Sequence, residues 1–166
     1  MRALVLGFVV LMSAPAFGQQ IEPTDFPWFN GPTRDAIYRM SENPNAVHVF
    51  EAFTLSCSWC NRNAPQVQAM ADEYADNERV QFIDLGLDSN DRNIQRWVAE
   101  HEPTYPVVKD VDRQIWNILR QSNGVPQTFV VDCNGQMVDA TIGYWGSSEK
   151  ATIRAAIAEG LETECQ

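Results

Sequence analysis

With 166 residues, the chain is long enough for one domain with a substantial hydrophobic core. Its formal net charge of −10 makes nucleic acids and anionic membrane surfaces poor partners, because both are negatively charged themselves. The composition therefore predicts a protein that binds no nucleic acid, and solubility is a sufficient explanation of the charge.

The first 18 residues have the layout of a secretory signal peptide. Arg2 is followed by an apolar run over residues 3–12 and then by small residues up to Gly18. The run is shorter than the ~20 residues of a membrane-spanning helix. We expect residues 1–18 to be removed and the mature protein to be periplasmic or secreted, with an uncleaved membrane anchor as the alternative.

If the protein is exported, its four cysteines can form lasting disulfides, because disulfides persist outside the cytosol. Cys57 and Cys60 are two residues apart, a spacing that lets a small disulfide ring close and reopen. An apolar run, 47–50, precedes them and a helical pattern, 61–75, follows. The predicted strand-to-helix turn places Cys57 at a helix N-terminus, where free N–H groups and the helix dipole favour the thiolate. A purely structural disulfide is the alternative.

The predicted elements alternate along the chain, which indicates a layered α/β sheet with helices on both faces. An N-terminal arm, 19–45, contains a short helix from Arg34 to Ser41 capped by Thr33. The domain, 46–166, contains strands at 46–53, 80–85, 106–108, 128–131 and 137–142, and helices at 61–75, 90–100, 113–121 and 147–161. The last two strands flank an Asn-Gly turn, a strong hairpin signal.

Several features at fixed spacings carry a family resemblance. They are Cys57-x-x-Cys60, Pro65 five residues after it, Glu51 six residues before it, the segment 124–132 around Pro126, and the segment Tyr105–Asp110. With these, residues 47–161 resemble the thioredoxin superfamily, and within it the exported TlpA-type (TlpA/ResA-like) thiol-disulfide oxidoreductases. The resemblance implies a three-layer α/β/α sandwich with a central mixed sheet, a βα insertion, and a C-terminal β-hairpin plus helix.

The resemblance also implies roles for individual residues. Cys57 is the expected nucleophile on a substrate disulfide, and Cys60 the thiol that resolves the mixed disulfide. Glu51 is the expected buried base for the proton of Cys60, unless it faces solvent. Pro126 is expected to form a cis peptide bond, or else an ordinary trans turn, and to hold the backbone of Val125 beside the cysteines for a substrate strand.

The sequence departs from the family pattern at three places. Ser56 stands where the family usually has tryptophan, and Ser58-Trp59 form the centre of the redox motif. Trp59 is expected to be exposed and to contact partner proteins, with packing over its own helix as the alternative. Asp84 stands where minimal thioredoxins have lysine, and we expect it at a solvated strand end; if it lay close to Glu51, it would raise the pKa of that carboxyl.

Cys133 and Cys165 form the second candidate pair. In the implied topology, the turn at Cys133 lies at the end of the sheet opposite the redox pair, and the last helix runs back towards it. We expect a structural disulfide that fixes the C-terminal tail, with a second redox relay or free thiols as alternatives.

The sequence thus predicts an exported, monomeric thiol-disulfide oxidoreductase that reduces protein disulfides, receives electrons from a membrane donor, and needs no cofactor or metal. An oxidase or isomerase on the same site is the alternative. A Cu(I)-binding module lacks a nearby methionine or histidine ligand, and neither His48 nor His101 has metal-ligand spacing. A thiol peroxidase would need proline four residues before Thr54, where this chain has Phe50.

Overall fold

A computed structural model describes residues 18–166, so the predicted signal peptide lies outside the described residues except for its last position. The strands are β1 (Asp25–Pro27), β2 (Ile37–Arg39), β3 (Val47–Phe53), β4 (Val80–Gly86), β5 (Val107–Lys109), β6 (Gln127–Val131) and β7 (Met137–Ile142). The helices are α1 (Ser58–Glu73), α2 (Asp91–His101), α3 (Gln114–Leu119) and α4 (Ser147–Glu162). No helix within the described part is long and apolar enough to cross a membrane.

Five strands form the central mixed sheet, in the order β5-β4-β3-β6-β7. The first three run parallel, β6 is antiparallel to β3, and β7 is antiparallel to β6. All seven residues of β3 are buried, as its nearly continuous apolar sequence predicts for a central strand covered on both faces. The alternation of strands and helices therefore produces the layered α/β architecture expected from the sequence.

Alternate residues of β3 point into two separate cores. Val49 packs in a cluster with Val67 of α1 and Ile157 of α4, whereas Phe50 packs with Trp116 of α3 and Phe26 of the arm. The period-two alternation of side chains along a strand directs neighbours to opposite faces. One face is thus covered by α1, α2 and α4, and the other by α3 and the N-terminal arm.

The predicted helix from Arg34 to Ser41 is wrong. Its residues form β2 and a 3₁₀ turn (Met40–Glu42), and β2 pairs antiparallel with β1. In β2 only the middle residue, Tyr38, is buried, and it joins the arm-side core. Burial of this aromatic side chain and pairing with β1 outweigh the weak local preference for helix, which tertiary contacts routinely override.

The arm also covers the edge strand of the sheet. Trp28 pairs with Val108 of β5, and the amide of Phe29 donates a hydrogen bond to the carbonyl of Val107, at 2.8 Å. An uncovered edge would present unpaired N–H and C=O groups to other chains. The arm therefore closes the side of the sheet next to the parallel strands that carry the candidate site.

Candidate active site

The turn between β3 and α1 presents the redox pair. Cys57 is the N-cap of α1, and its Sγ accepts a hydrogen bond from the amide of Cys60, at 3.1 Å. The amide side chain of Asn61 donates to the carbonyls of Leu55 and Cys57, at 3.0 and 2.8 Å. The turn is thus fixed by its own polar groups, with the Cys57 sulfur at the positive end of the helix dipole.

Cys57 and Cys60 form a disulfide in the structure, with Cα atoms 5.2 Å apart. The two sulfurs differ in access, because Cys57 is half-buried whereas Cys60 is only 1% exposed. Cys60 packs among Phe53, Ala64 and other apolar residues between the sheet and the helices. Of the two residues, only Cys57 is therefore accessible from solvent, whereas Cys60 is covered.

The loop before β6 lies directly against the redox pair. The peptide bond between Val125 and Pro126 is cis, and the carbonyl oxygen of Val125 lies 3.5 Å from Cys57 Sγ. The buried side chain of Gln127 holds this loop by donating to the carbonyls of Ser122 and Gly124. The geometry leaves the backbone of Val125 beside the sulfur, where an extended peptide could pair with it.

Glu51 lies buried in β3, only 3% exposed. Its Oε1 accepts from the side-chain amide of Asn63 at 2.8 Å, and its Oε2 accepts from the hydroxyl of Thr128 at 2.5 Å. Burial raises the pKa of Glu51, the hydrogen bonds from Thr128 and Asn63 oppose that rise, and the nearby Asp84 adds to it. Asn63 and Cys60 lie on the same buried face of α1, which places the carboxyl in the region of the inner sulfur.

Asp84 is buried, and the expectation of a solvated strand end is wrong. It is 1% exposed, stands opposite Glu51 in the register of β3 and β4, and accepts a 2.7 Å hydrogen bond from Trp97 Nε1 at Oδ2. Burial raises its pKa, while the hydrogen bond from Trp97 and the polar hydroxyl of neighbouring Tyr105 oppose the rise. The apolar neighbours of Asp84 in β4, Ile83 and Leu85, are the sequence signal that favoured burial.

Two exposed aromatic side chains, Trp59 and Tyr144, lie next to each other at the exposed side of the site. Trp59 is 53% exposed, as predicted, and Arg62 lies over its ring with the guanidinium carbon 4.9 Å from the centroid. The sequence did not single out Tyr144, which is 42% exposed with its ring centroid 6.2 Å from that of Trp59. Tyr144 follows β7, remote from the motif in sequence, so only the sheet order brings it to the redox pair.

The second cysteine pair lies at the far end of the sheet. Cys133 and Cys165 form a disulfide, with Cα atoms 5.6 Å apart. The turn that contains Cys133 follows Val131, which pairs with His48 at the start of β3, whereas Cys57 follows the end of β3. The bond therefore joins the tail to the hairpin turn away from the redox pair.

One histidine lies near each pair of cysteines: His48 lines the same surface cavity as Cys133, and His101 contacts Asn61, the residue after Cys60. His48 is buried, and burial lowers its pKa to about 4. His101 is half-buried at the end of α2, where its Nε2 lies 2.9 Å from Oδ1 of Asn61. Over residues 18–166, no group of three or more histidine, cysteine or acidic side chains is arranged to hold a metal ion.

Known proteins resemble this chain in sequence and in fold. The family model of the AhpC/TSA family matches residues 23–140. The thiol-disulfide oxidoreductase YkuV of Bacillus subtilis is 29% identical over 114 residues, which are 66% of this chain and 73% of that protein. NHL repeat-containing protein 2 of Bos taurus is 26% identical over 164 residues, 92% of this chain but only 22% of that longer protein. The solved thioredoxin domain of a thiol-disulfide oxidoreductase from Bacteroides vulgatus superposes with a TM-score of 0.67 at 15% identity, covering 87% of this chain and 99% of that one.

Proposed function

The chain belongs to the AhpC/TSA family and is a thiol-disulfide oxidoreductase of thioredoxin fold, and from this premise we propose that it is an exported, TlpA-type reductase of protein disulfides. The main support is the unequal solvent exposure of the two cysteines at the helix N-terminus: Cys57 is partly exposed, and Cys60 is buried. That asymmetry supports an order of exchange in which Cys57 reacts first and Cys60 second.

The reaction starts from the reduced pair. The thiolate of Cys57 attacks one sulfur of the substrate disulfide, forming a mixed disulfide and releasing the other substrate sulfur as a thiolate. Cys60 then loses its proton and attacks Cys57 Sγ. The bond between Cys57 and the substrate breaks, and the second substrate sulfur leaves with that electron pair. The substrate has gained two electrons, and the enzyme is left as the observed disulfide.

Glu51 is the proposed base for the resolving step. A thiol buried among apolar side chains loses its proton reluctantly, because burial disfavours the charged form. The raised pKa of the Glu51 carboxyl brings its proton affinity closer to that of a thiol, whose ordinary pKa is about 8.5. A base matched in this way accepts the proton of Cys60, directly or through a water molecule, and returns it when the pair is reduced again.

Protein substrates would bind along the rim of the site. The backbone of Val125, held by Pro126, is the proposed pairing edge for an extended segment that carries the disulfide. Trp59 and Tyr144 add an exposed aromatic surface on which the partner can bury apolar area. The protein would act as a monomer, without a cofactor, and would be reduced again by a membrane electron donor.

Export is part of the proposal. It is supported by the signal-peptide layout of residues 1–18 and by the disulfide between Cys133 and Cys165. That bond closes a loop with a sequence separation of 32 and lies away from the redox pair, as expected of a structural disulfide. Such bonds persist in oxidising compartments such as the periplasm and are rare in the cytosol.

Disulfide exchange with proteins tests the proposal. The reduced wild-type protein should reduce the interchain disulfides of insulin, and Cys57→Ser should be inactive. Cys60→Ser should accumulate mixed disulfides with its substrates, which dithiothreitol releases, because the resolving thiol is absent. A folded wild-type protein without insulin reduction would contradict the proposal. A reduction potential near those of strong protein oxidants would reverse the direction to oxidase, and rapid peroxide consumption would favour a peroxidase.

A further inference from the structure

Two carboxyl groups lie side by side under the redox pair. Glu51 and Asp84 are register partners on the parallel strands β3 and β4, so their side chains point to the same face of the sheet. Both are almost fully buried, at 3% and 1% exposure. The function proposed above uses only Glu51 and leaves the second buried acid unexplained.

The surroundings of the pair supply no neutralising charge. The groups that contact the two carboxyls are Asn63 from α1, Thr128 from β6, Trp97 from α2, and Tyr105 from the segment before β5, and Cys60 lies on the same buried face of α1 as Asn63. His101 lies beyond Trp97, with ring centroids 4.2 Å apart. In the described part of the chain no lysine or arginine forms an ion pair with either acid. Two adjacent carboxylates in such a site cannot both be ionised without a large penalty.

The hydrogen bonds distinguish the two acids. Both oxygens of Glu51 accept hydrogen bonds, from the side-chain amide of Asn63 and from the hydroxyl of Thr128. Asn63 must turn its NH₂ group towards the carboxyl, because its Oδ1 accepts the backbone amide of Trp145. Thr128 accepts the indole N–H of Trp145 and donates its hydroxyl proton to Glu51. An acceptor held between two such donors is best satisfied as a carboxylate.

Asp84 has the opposite arrangement. Its Oδ2 accepts from Trp97 at 2.7 Å, while its buried Oδ1 has no hydrogen-bond partner among the described residues. A protonated carboxyl can leave one oxygen free as a hydroxyl, whereas a buried carboxylate oxygen without a donor is costly. The site is therefore arranged for a neutral Asp84 beside an ionised Glu51.

We propose that Glu51 and Asp84 work as one carboxyl pair that carries a single proton at neutral pH, with the proton on Asp84 and Glu51 free to accept the proton of Cys60. Asp84 is a positioning residue that acts through Glu51, and the inference rests on the disulfide-exchange function proposed above. When Glu51 takes the Cys60 proton, the pair becomes neutral and Cys60 becomes the attacking thiolate. At alkaline pH Asp84 also ionises, and its negative charge makes Glu51 a stronger base. The resolving step should therefore accelerate in two stages with rising pH, because the two acids titrate together.

A coloured aromatic disulfide, 5,5′-dithiobis(2-nitrobenzoate), measures the resolving step directly. The reduced protein releases one thiolate when Cys57 attacks and a second when Cys60 resolves the mixed disulfide. In the wild-type protein, the rate of the second release should show two carboxyl ionisations between about pH 5 and pH 10, besides that of the Cys60 thiol itself. Asp84→Asn keeps an acceptor for Trp97 and should leave a single carboxyl ionisation. Asp76→Asn, at an exposed position, is the matched control and should keep both ionisations.

A double-mutant comparison shows whether Asp84 acts through Glu51. Glu51→Gln should slow the second release by about 100-fold or more, the range of general acid–base catalysis, and remove both carboxyl ionisations, leaving only the rise from direct ionisation of the Cys60 thiol. Adding Asp84→Asn to Glu51→Gln should then change nothing further. The proposal of a carboxyl pair would be overturned if folded Asp84→Asn kept both carboxyl ionisations. It would also be overturned if Asp84→Asn still changed the rate of the second release in the Glu51→Gln background. A wild-type protein that never releases the second thiolate would instead refute Cys60 as the resolving thiol.

Infrared spectroscopy of the wild-type protein keeps the inference testable if Asp84→Asn does not fold. At pH 7 the spectrum should contain the carbonyl stretch of one protonated, buried carboxylic acid, because the pair retains one proton while exposed acids are ionised. The band should disappear at alkaline pH. Its absence at pH 7 would show that both acids are ionised and would overturn the proposal.

Discussion

The disulfide between Cys133 and Cys165 should contribute a large share of the folding stability. It joins residues with a sequence separation of 32, and closing a loop of this length in the unfolded chain corresponds to about 3.7 kcal/mol at 25 °C. Without the bond, the tail is held to the hairpin turn mainly by Asn134, which bonds Glu164 and Gln166 at the protein surface. Because a domain is stable by only about 5–15 kcal/mol, the predicted loss is a substantial fraction of the total.

Urea unfolding of a Cys133→Ser/Cys165→Ser variant measures this contribution. We expect the free energy of unfolding to fall by about 3–4 kcal/mol, with a larger urea dependence because the unfolded chain is no longer cross-linked. Insulin reduction should remain near the wild-type rate, since β3 places about 20 Å of strand between the two cysteine pairs. The comparison variant is Cys57→Ser/Cys60→Ser, whose ring has a sequence separation of only 3 and should stabilise less.

A loss of less than about 1 kcal/mol in the free energy of unfolding would refute this reasoning. It would show that the disulfide does not lower the conformational entropy of the unfolded chain by the expected amount. Loss of insulin reduction in a folded variant would refute the separation of the structural and redox pairs. It would indicate that electrons pass between the two pairs, as in a redox relay.

Three further changes probe packing, binding and ionisation. Gly160→Ala would place its Cβ 2.9 Å from a methyl group of buried Val47 and should lower the free energy of unfolding by about 1–3 kcal/mol, whereas Gly124→Ala meets no atom within 4 Å and should leave the urea midpoint nearly unchanged. Trp59→Ala should change the free energy of unfolding by less than about 0.5 kcal/mol, because the side chain is exposed. It should raise KM for insulin several-fold and leave the reaction with the small aromatic disulfide nearly unchanged. Equal effects on both substrates would contradict a role of Trp59 in binding proteins. Burial raises the pKa values of both Glu51 and Asp84 above their unfolded values of about 4, so the stabilising effect of the pair is complete below that pH and is lost as pH rises through the folded pKa values. The free energy of unfolding should fall between about pH 5 and pH 8, and the fall should be smaller in Glu51→Gln; an identical pH profile would contradict the raised pKa.

Local sequence patterns predicted the elements around the redox pair closely. The apolar run that forms β3 was expected over residues 46–53 and is observed as Val47–Phe53. Asn90 caps α2, which begins at Asp91, and β7 has the predicted bounds, Met137–Ile142. These segments carry strong periodicity or turn signals, so neighbouring residues suffice to determine them.

Weak local signals failed where distant contacts decide the conformation. The segment from Arg34 to Ser41 is polar with scattered apolar residues, and it became strand because β1 and the arm-side core were available to pair with it. The N-cap of α4 is Gly146, although serine is the stronger capping residue and follows at 147 and 148, and the amide of Gly146 hydrogen-bonds to the carbonyl of Tyr144 in the preceding turn. Intrinsic propensities differ by less than about 1 kcal/mol per residue, so a single tertiary contact can reverse them.

The sequence by itself determined the chemistry of the molecule: a redox pair, Cys57 and Cys60, at a strand-to-helix turn in an α/β domain. It could do so because turn position and helix N-terminus are local properties of a few consecutive residues. Only the tertiary structure decided that Asp84 is buried opposite Glu51 and that Tyr144 lies beside Trp59. Those relations depend on strand order, register and the helices that cover each face, which bring together residues far apart in the chain. Burial without counter-charge then sets the proton affinity of the acids, a property that no single residue carries alone.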